Sequence, residues 1–522
     1  MFLPSLVSGS RAQATTKRRV DVVSRPAPTG GWDTRENIAD MPEDRAVTMD
    51  NWFPDSSVCT TRRGYKAHLT GLTKAVKTLI DYQPESGSSK LFAASDGKLY
   101  NATSAGAAGA AAASGFTEDK WQFVNIGTSG GRFIFACNGA DTAQIYDGSS
   151  WANSTLTGPT LNKLVWCNAH QRRLWVGEKN SLSAWYGGTN AITGAFTEFP
   201  MYGIATKGGY IMGMATWTRD AGQGQDDVAV FVTSEGEAIV YNGTDPSDVA
   251  TWSLVGVFQI GKPIGRKFFA KAGGDLILIT EDGFLSAAKM LVTDRTQAQK
   301  AAISEQINSA VNRAIRFYKA NEGWQPVLYP RGTMMFVNVP VDSLTAHQYV
   351  FNTLTKSPCR FLNQNAASWA VFNDGLYFGG FDGVVYEADT GTTDDGDQII
   401  CNMIPAFSYF NSHGVLKKFN MAEIVFQSSN PVYASVDLST DFNASSSSGT
   451  PSYIGGEVGG GEWDSGLWDD ATWASDTVIV KSWKSTPGIG RAATIRIRVD
   501  NDTDQVSFVA ANYAFERGGP IG

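Results

Sequence analysis

For its size, this sequence has little charge and few thiols. Of 522 residues only 18% are charged, and Lys and Arg number 43 against 51 Asp and Glu, a formal net charge of −8. A protein that grips nucleic acid by neutralising phosphates needs a basic face, so that class is disfavoured. A surface past which nucleic acid slides is not. The five cysteines (Cys59, Cys137, Cys167, Cys359 and Cys401) are odd in number, widely spaced and form no CxxC pair. That argues against a disulfide framework or a zinc site, and for reduced, buried thiols. No run approaches the roughly 20 apolar residues of a membrane span. The apolar stretch after Met1 covers about six residues with no basic residue before it, too little for a secretion signal. The expectation is a soluble protein assembled in a cytoplasm.

Catalytic motifs are lacking too. Gly127-Thr128-Ser129-Gly130-Gly131 fits GxSxG, but a strand-like RFIFA follows where a nucleophile elbow needs a helix. Asp500, Asp502 and Asp504 imitate the start of a calcium loop, yet Gln505 and Ala511 stand where Gly and Glu are needed. His68, His170, His347 and His413 are scattered without an HExxH, and there is no GxxxxGK[ST] phosphate loop. The turns lack the Ser-x-Asp-x-Gly-x-Thr-Trp pattern of sialidase-type blades. No catalytic, cofactor or metal site is expected.

What the sequence does have is glycine, 55 in all, with 11% aromatic and 42% hydrophobic residues. That balance favours many short strands and turns over long surface helices. The organising stretch is WAVFNDGLYFGGFDGVVYEAD (369–389), which reads as three strands at 369–372, 376–379 and 384–387. Asn373-Asp374-Gly375 and Phe381-Asp382-Gly383 form the turns, with Gly expected to take the positive φ. Similar hairpins occur at 90–102, 132–151, 172–188, 228–243, 276–289 and 333–352. About seven units at intervals of roughly 30–60 residues match the spacing of propeller blades, which protect one another's edges by radial closure. A pair of β-sandwiches is the competing architecture.

The fold class expected is therefore all-β: an irregular β-propeller with one inserted helix and a C-terminal β-sandwich-like domain. Residues 1–30, with Lys17-Arg18-Arg19, read as a flexible arm, and 31–75 as a docking segment dense in Trp, Pro and Asp. The propeller spans 76–390. Its low-complexity stretch 102–115 reads as a loop, and 295–319 as a helix with Ile303, Ile307, Val311, Ala314 and Tyr318 on one face, capped by Asp294 and Gln297. That helix packs either on the propeller's own rim or against another subunit. After the acidic, linker-like TGTTDDGDQ, residues 391–522 form the C-terminal β domain. There Ile495, Ile497 and Val499 alternate with Arg496 and Arg498, as in a half-buried strand. A Gly/Ser-rich loop within it carries Trp463, Trp468 and Trp473. These could stack on sugars or on a partner, or tuck back onto their own sheet.

Residues 31–64 carry a resemblance. Gly31-Trp32-Asp33, Met41-Pro42-Glu43-Asp44-Arg45-Ala46, Asn51-Trp52-Phe53-Pro54 and Arg63-Gly64 resemble the opening of tail nozzle proteins of short-tailed bacteriophages, also called tail tubular or phage stabilisation proteins. The likeness continues through His170-Gln171-Arg172-Arg173-Leu174-Trp175, Phe231-Val232-Thr233-Ser234-Glu235-Gly236-Glu237 and Gln259-Ile260-Gly261-Lys262-Pro263-Ile264-Gly265, and fades after about residue 390. These are packing and turn residues, so they mark a structural family and not an activity. The resemblance implies a virion tail protein assembled in the host bacterial cytoplasm. It would form a homo-hexameric ring below the portal and adaptor rings, extend and close the DNA-ejection channel, and carry tail fibres or tailspikes. Genomic DNA would pass through the lumen without sequence-specific binding, helped by an acidic wall. By position and aromatic density, Trp32, Trp52 and Phe53 are the first candidates for adaptor contact. The alternatives are a carbohydrate-binding propeller, motivated by Trp463, Trp468 and Trp473, and a propeller glycosidase.

Overall fold

Six of the seven hairpins legible in the sequence are the second and third strands of a small antiparallel sheet, and the seventh is the first three. Among the described residues, seven such sheets succeed one another around a common axis. The computed structural model describes residues 20–34, 37–218, 227–290, 302–430, 432–444, 451–455 and 478–520. The first strands of the seven blades are Thr78–Tyr82, Gln122–Thr128, Leu164–His170, Ile211–Trp217, Phe269–Ala272, Gln325–Tyr329 and Ala366–Phe372. Among the described residues blade 5 has three strands and the others four. Blade 7 takes its fourth strand from the start of the chain. Tyr65–Thr70 pairs antiparallel with Val385–Ala388, Tyr65 opposite Ala388 and Leu69 opposite Val385. The ring is thus closed by a strand that precedes blade 1, inside the segment expected to be a separate docking element.

The turns explain the hairpins, with one difference from expectation. In Asn373-Asp374-Gly375 the positive φ falls on Asn373 (46°) and Asp374 (60°), a pair of residues whose short polar side chains tolerate the left-handed region. Gly383 does carry one (84°), and a Cβ there would meet the Leu72 carbonyl at 2.5 Å. Residues 102–115 are not only loop. Ala113–Ser114 is the outer strand of blade 1, and Gly106–Ala107 lies parallel to Leu69–Thr70.

Blades cohere through apolar clusters at their interfaces and through side-chain amides and hydroxyls that reach the next blade's backbone. Ile80, Phe92, Trp121 and Ile134 pack between blades 1 and 2; Trp175, Phe231 and Trp252 pack between blades 3 and 4. Asn125 donates to the Asp81 carbonyl (2.9 Å), Asn168 to that of Met214 (2.7 Å), Gln325 to that of Trp369 (2.9 Å) and Ser368 to that of Val76 (2.7 Å). Buried polar side chains are satisfied here by blade-to-blade bonds.

The C-terminal domain is a two-sheet sandwich. One sheet orders Val478–Gly490, Val415–Ser428 and Ser507–Pro520; the other orders Ser452–Gly455, Val432–Thr440, Ala493–Asn501 and Asp397–Pro405. Ile495, Ile497 and Val499 are buried, as their alternation required, against Phe419, Ile424, Phe426 and Phe515. Both sheets are completed by the chain's beginning. Val20–Pro26 pairs with Ser507–Pro520 from Val20 opposite Glu516 to Pro26 opposite Ala510, and Arg45–Asp50 pairs with Asp397–Pro405. Residues 20–30 are therefore no flexible arm. Half-buried Val23 packs on the sandwich core, and this burial together with a continuous ladder holds them. One core runs from blade 5 through blades 6 and 7 into both sandwich sheets.

The inserted helix is shorter than expected. Asn308–Tyr318 is α-helical after a 3-10 turn at Glu305–Ile307, while Asp294 and Gln297, the expected cap, lie outside the described residues. Its expected face is the one that packs: Ile307, Val311 and Ala314 are buried in the same core, with Ile303 and Tyr318 partly buried against it.

Candidate functional site

A connected set of buried charged and amide side chains, Asp50, Asn51, Arg62 and Asp394, lies at the seam where the chain's start crosses blades 6 and 7 and the sandwich. Asn51 takes a left-handed φ of 60° between Arg45–Asp50 and Trp52–Pro54. That turn aims its amide both ways: Nδ2 donates to the Ile400 carbonyl, while Oδ1 accepts from the Leu362 N–H and from Arg62 Nε, at 2.8, 2.8 and 2.9 Å. Arg62 itself is buried. Its Nη1 donates to Asp394 Oδ1 at 2.8 Å and its Nη2 to Asp394 Oδ2 at 2.5 Å, a bidentate pair, and the remaining donors reach the Arg63 and Leu362 carbonyls. All the guanidinium nitrogens are used. Even so, burial raises the Asp394 carboxyl above its ordinary value, against the opposing pull of Arg62. Burial thus offsets part of the pair's mutual attraction.

Close approach of backbones explains the glycines of this region. A Cβ on Gly64 would lie 1.8 Å from the Thr393 carbonyl oxygen, and one on Gly31, at φ +85°, 2.5 Å from that of Pro358. Arg360 completes the seam. It makes a two-pronged ion pair with Asp50 (2.7 and 2.8 Å) and lies 5.1 Å over the Trp32 ring, which meets Tyr349 edge-on.

The residues expected at partner contacts divide accordingly. Trp32 and Trp52 are buried in their own chain's core, at 6% and 0% exposure, so the adaptor role expected of them is corrected: large apolar rings between two sheets are removed from water by folding itself. Phe53 is half-buried and lines a cavity. Trp463, Trp468 and Trp473 lie outside the described residues.

That cavity, of about 450 Å³, opens beside the Arg62 pair between blades 6 and 7, the 53–63 segment and Gln505 of the sandwich. Phe53, Phe336 and Phe361 supply apolar wall. Arg63 and Arg331 face Asp389, whose carboxyl burial raises while Arg63, a Tyr329 hydroxyl bond and Arg331 oppose the rise. Gln348 is fully buried; its Nε2 donates to Asn338 Oδ1 and the Gln364 carbonyl, and its Oε1 has no partner among the described residues. At the rim Thr333 holds φ +51°, a strained conformation for a β-branched residue that costs on the order of 1–3 kcal/mol. None of this is readable locally. Arg62 and Asp394 are 332 positions apart, and Asp394 sits in the stretch that reads as a linker.

A second cavity of about 450 Å³ lies on the propeller axis. There burial lowers the Lys267 ammonium to about 8, with Asp81 pulling the other way. Neighbouring Arg266 reaches from the start of blade 5 to blade 2, donating to the Lys120 and Asn138 carbonyls (3.2 and 3.1 Å).

No protein-family model and no curated protein matches the sequence. Solved structures of similar shape include BBS1N in complex with ARL6DN (11% identity, covering 63% of this chain and 97% of that one, TM-score 0.41) and BamB from Moraxella catarrhalis (14%, 64% and 92%, 0.35). These likenesses are distant, and the propeller assignment rests on the strand pairing itself.

Proposed function

We propose that this chain is a structural subunit of a phage tail nozzle, forming a hexameric ring that extends and closes the DNA-ejection channel, without enzymatic activity. One observation carries the reading. The residues in which the sequence likeness is densest, 31–64, are those that weld propeller and sandwich into one body through Asn51, Arg62 and Asp394. A ring that withstands the passage of a genome needs subunits without a hinge, and a continuous core supplies that. The propeller's own axis holds a cavity of about 450 Å³, too little for a duplex, so DNA would run through the lumen between copies. The outer face of the sandwich offers apolar side chains for a neighbour to cover: Val20, Val22, Met421, Ile479, Trp483 and Ile489 are all exposed on it.

Light scattering of the purified protein, alone and with a candidate adaptor ring, tests the reading. A particle near six times 56.1 kDa, alone or on the adaptor, is expected. Trp483→Asp is expected to leave the subunit folded and the ring unformed. A monomer indifferent to the adaptor overturns the proposal. Cryo-EM of the ring tests the acidic lumen separately; a neutral or basic wall removes that part.

A further inference from the structure

The seam cavity is chemically unlike a void left by imperfect packing. Its charged groups balance: with Arg62 committed to Asp394, what remains is Arg63 and Arg331 against Asp55 and Asp389. An anionic ligand would meet the two carboxylates and a cationic one the two guanidiniums, each at a cost in repulsion. Gln348 lies behind this lining, fully removed from solvent, and shapes the wall without reaching a ligand. One wall is apolar and aromatic. A volume of about 450 Å³ is that of a small-molecule site.

Balanced charge, donors and acceptors on opposing sides and an aromatic wall together describe one ligand class. We propose that the cavity between blades 6 and 7 and the sandwich binds a neutral saccharide of one or two residues. Sugar hydroxyls both donate and accept, so the same ring satisfies the Asp55 and Asp389 carboxylates and the Arg63 and Arg331 guanidiniums. The C–H face of the ring covers Phe53, Phe336 or Phe361. The site shares no residue with the loop of Trp463, Trp468 and Trp473, and it holds whether or not the chain forms a hexamer.

Isothermal titration calorimetry on the full-length protein tests this, with glucose, galactose, N-acetylglucosamine and maltose as probes and inorganic phosphate as the anionic comparator. At least one saccharide is expected to saturate and phosphate is not. Arg331→Gln and Asp55→Asn, both at exposed positions, are each expected to weaken that saccharide about tenfold with unchanged melting temperature. Failure of every saccharide to saturate, saturation by phosphate alone, or variants that bind like the parent overturns the proposal. Because subunit mass is measured independently, loss of this site and loss of the ring are separate results.

Discussion

The propeller and the seam are built from opposite kinds of contact. In the propeller, neighbours in sequence are neighbours in space: each blade folds back on itself through tight turns, and short side-chain bonds such as Asn168 to Met214 tie it to the next. At the seam, residues 20–61 lie between strands from 397–405 and 507–520, and the central ion pair joins positions 332 apart. Local contacts close cheaply in entropy, whereas the seam must wait for both ends of the chain. The comparison predicts that damage to the seam is severe and global, and that damage of the same chemical kind in a blade is mild.

The largest effect is expected at Asp394. Replacing it by Asn keeps the shape and removes the charge, leaving the buried Arg62 guanidinium uncompensated. Such breakage costs about 3–5 kcal/mol. Chemical denaturation of the variant should show it as a lower midpoint. The double variant Arg62→Met/Asp394→Leu, apolar on both sides, should recover much of the loss, since burial already outweighs attraction at this carboxyl. A double variant as unstable as the single one would show that the pair stabilises outright.

His170 gives a second test, inside the propeller. It is buried at the interface of blades 3 and 4, with Nδ1 3.2 Å from Thr216 Oγ1 and no partner for Nε2 among the described residues. Burial, with Lys271 nearby adding repulsion, lowers its pKa from 6.5 to about 4. The unfolded chain therefore binds the proton first as pH falls. The stability at stake is fully present above pH 6.5 and is lost on acidification towards pH 4, by up to about 3 kcal/mol. Thermal unfolding from pH 7 to pH 4 should show a steeper decline for the parent than for His170→Gln; equal slopes would remove His170 as the cause.

How much of this could be read in advance follows the same division. Six of the seven hairpins seen in the sequence are the second and third strands of their blades, and the seventh, at 366–388, is the first three strands of blade 7. Turn chemistry such as Asp96-Gly97, both at positive φ, is local and legible. The first strand of each blade is less so: Thr78–Tyr82 has no tight turn beside it, and the two-residue turn after Leu164–His170 places Gln171 and Arg172 at positive φ where Asn, Asp or Gly would have signalled it. Least legible were the seam residues. Asp394 lies in an acidic turn with no pattern to distinguish it, and Trp32 and Trp52 read as partner contacts from their position and the local density of aromatics. Their cover comes from blade 6 and the sandwich.

The smallest effect sharpens the comparison most. Arg173 and Asp245 form an ion pair between blades 3 and 4 at 2.9 Å, a contact of the same chemical kind as Arg62 with Asp394. Here, however, the side chains keep 15% and 38% exposure. Water screens the pair, and Asp245 owes its lowered pKa first to hydrogen bonds from Ser247 and only afterwards to Arg173. Asp245→Asn preserves an acceptor for Ser247 while removing the charge, so its cost should stay below about 1 kcal/mol. Measured beside Asp394→Asn under the same denaturant, the two variants hold residue type, partner type and substitution fixed and change only burial and the span of chain that the contact joins. If Asp245→Asn proved as damaging as Asp394→Asn, burial at the seam would not be what sets the two regions apart, and the propeller would have to be regarded as equally dependent on its ion pairs.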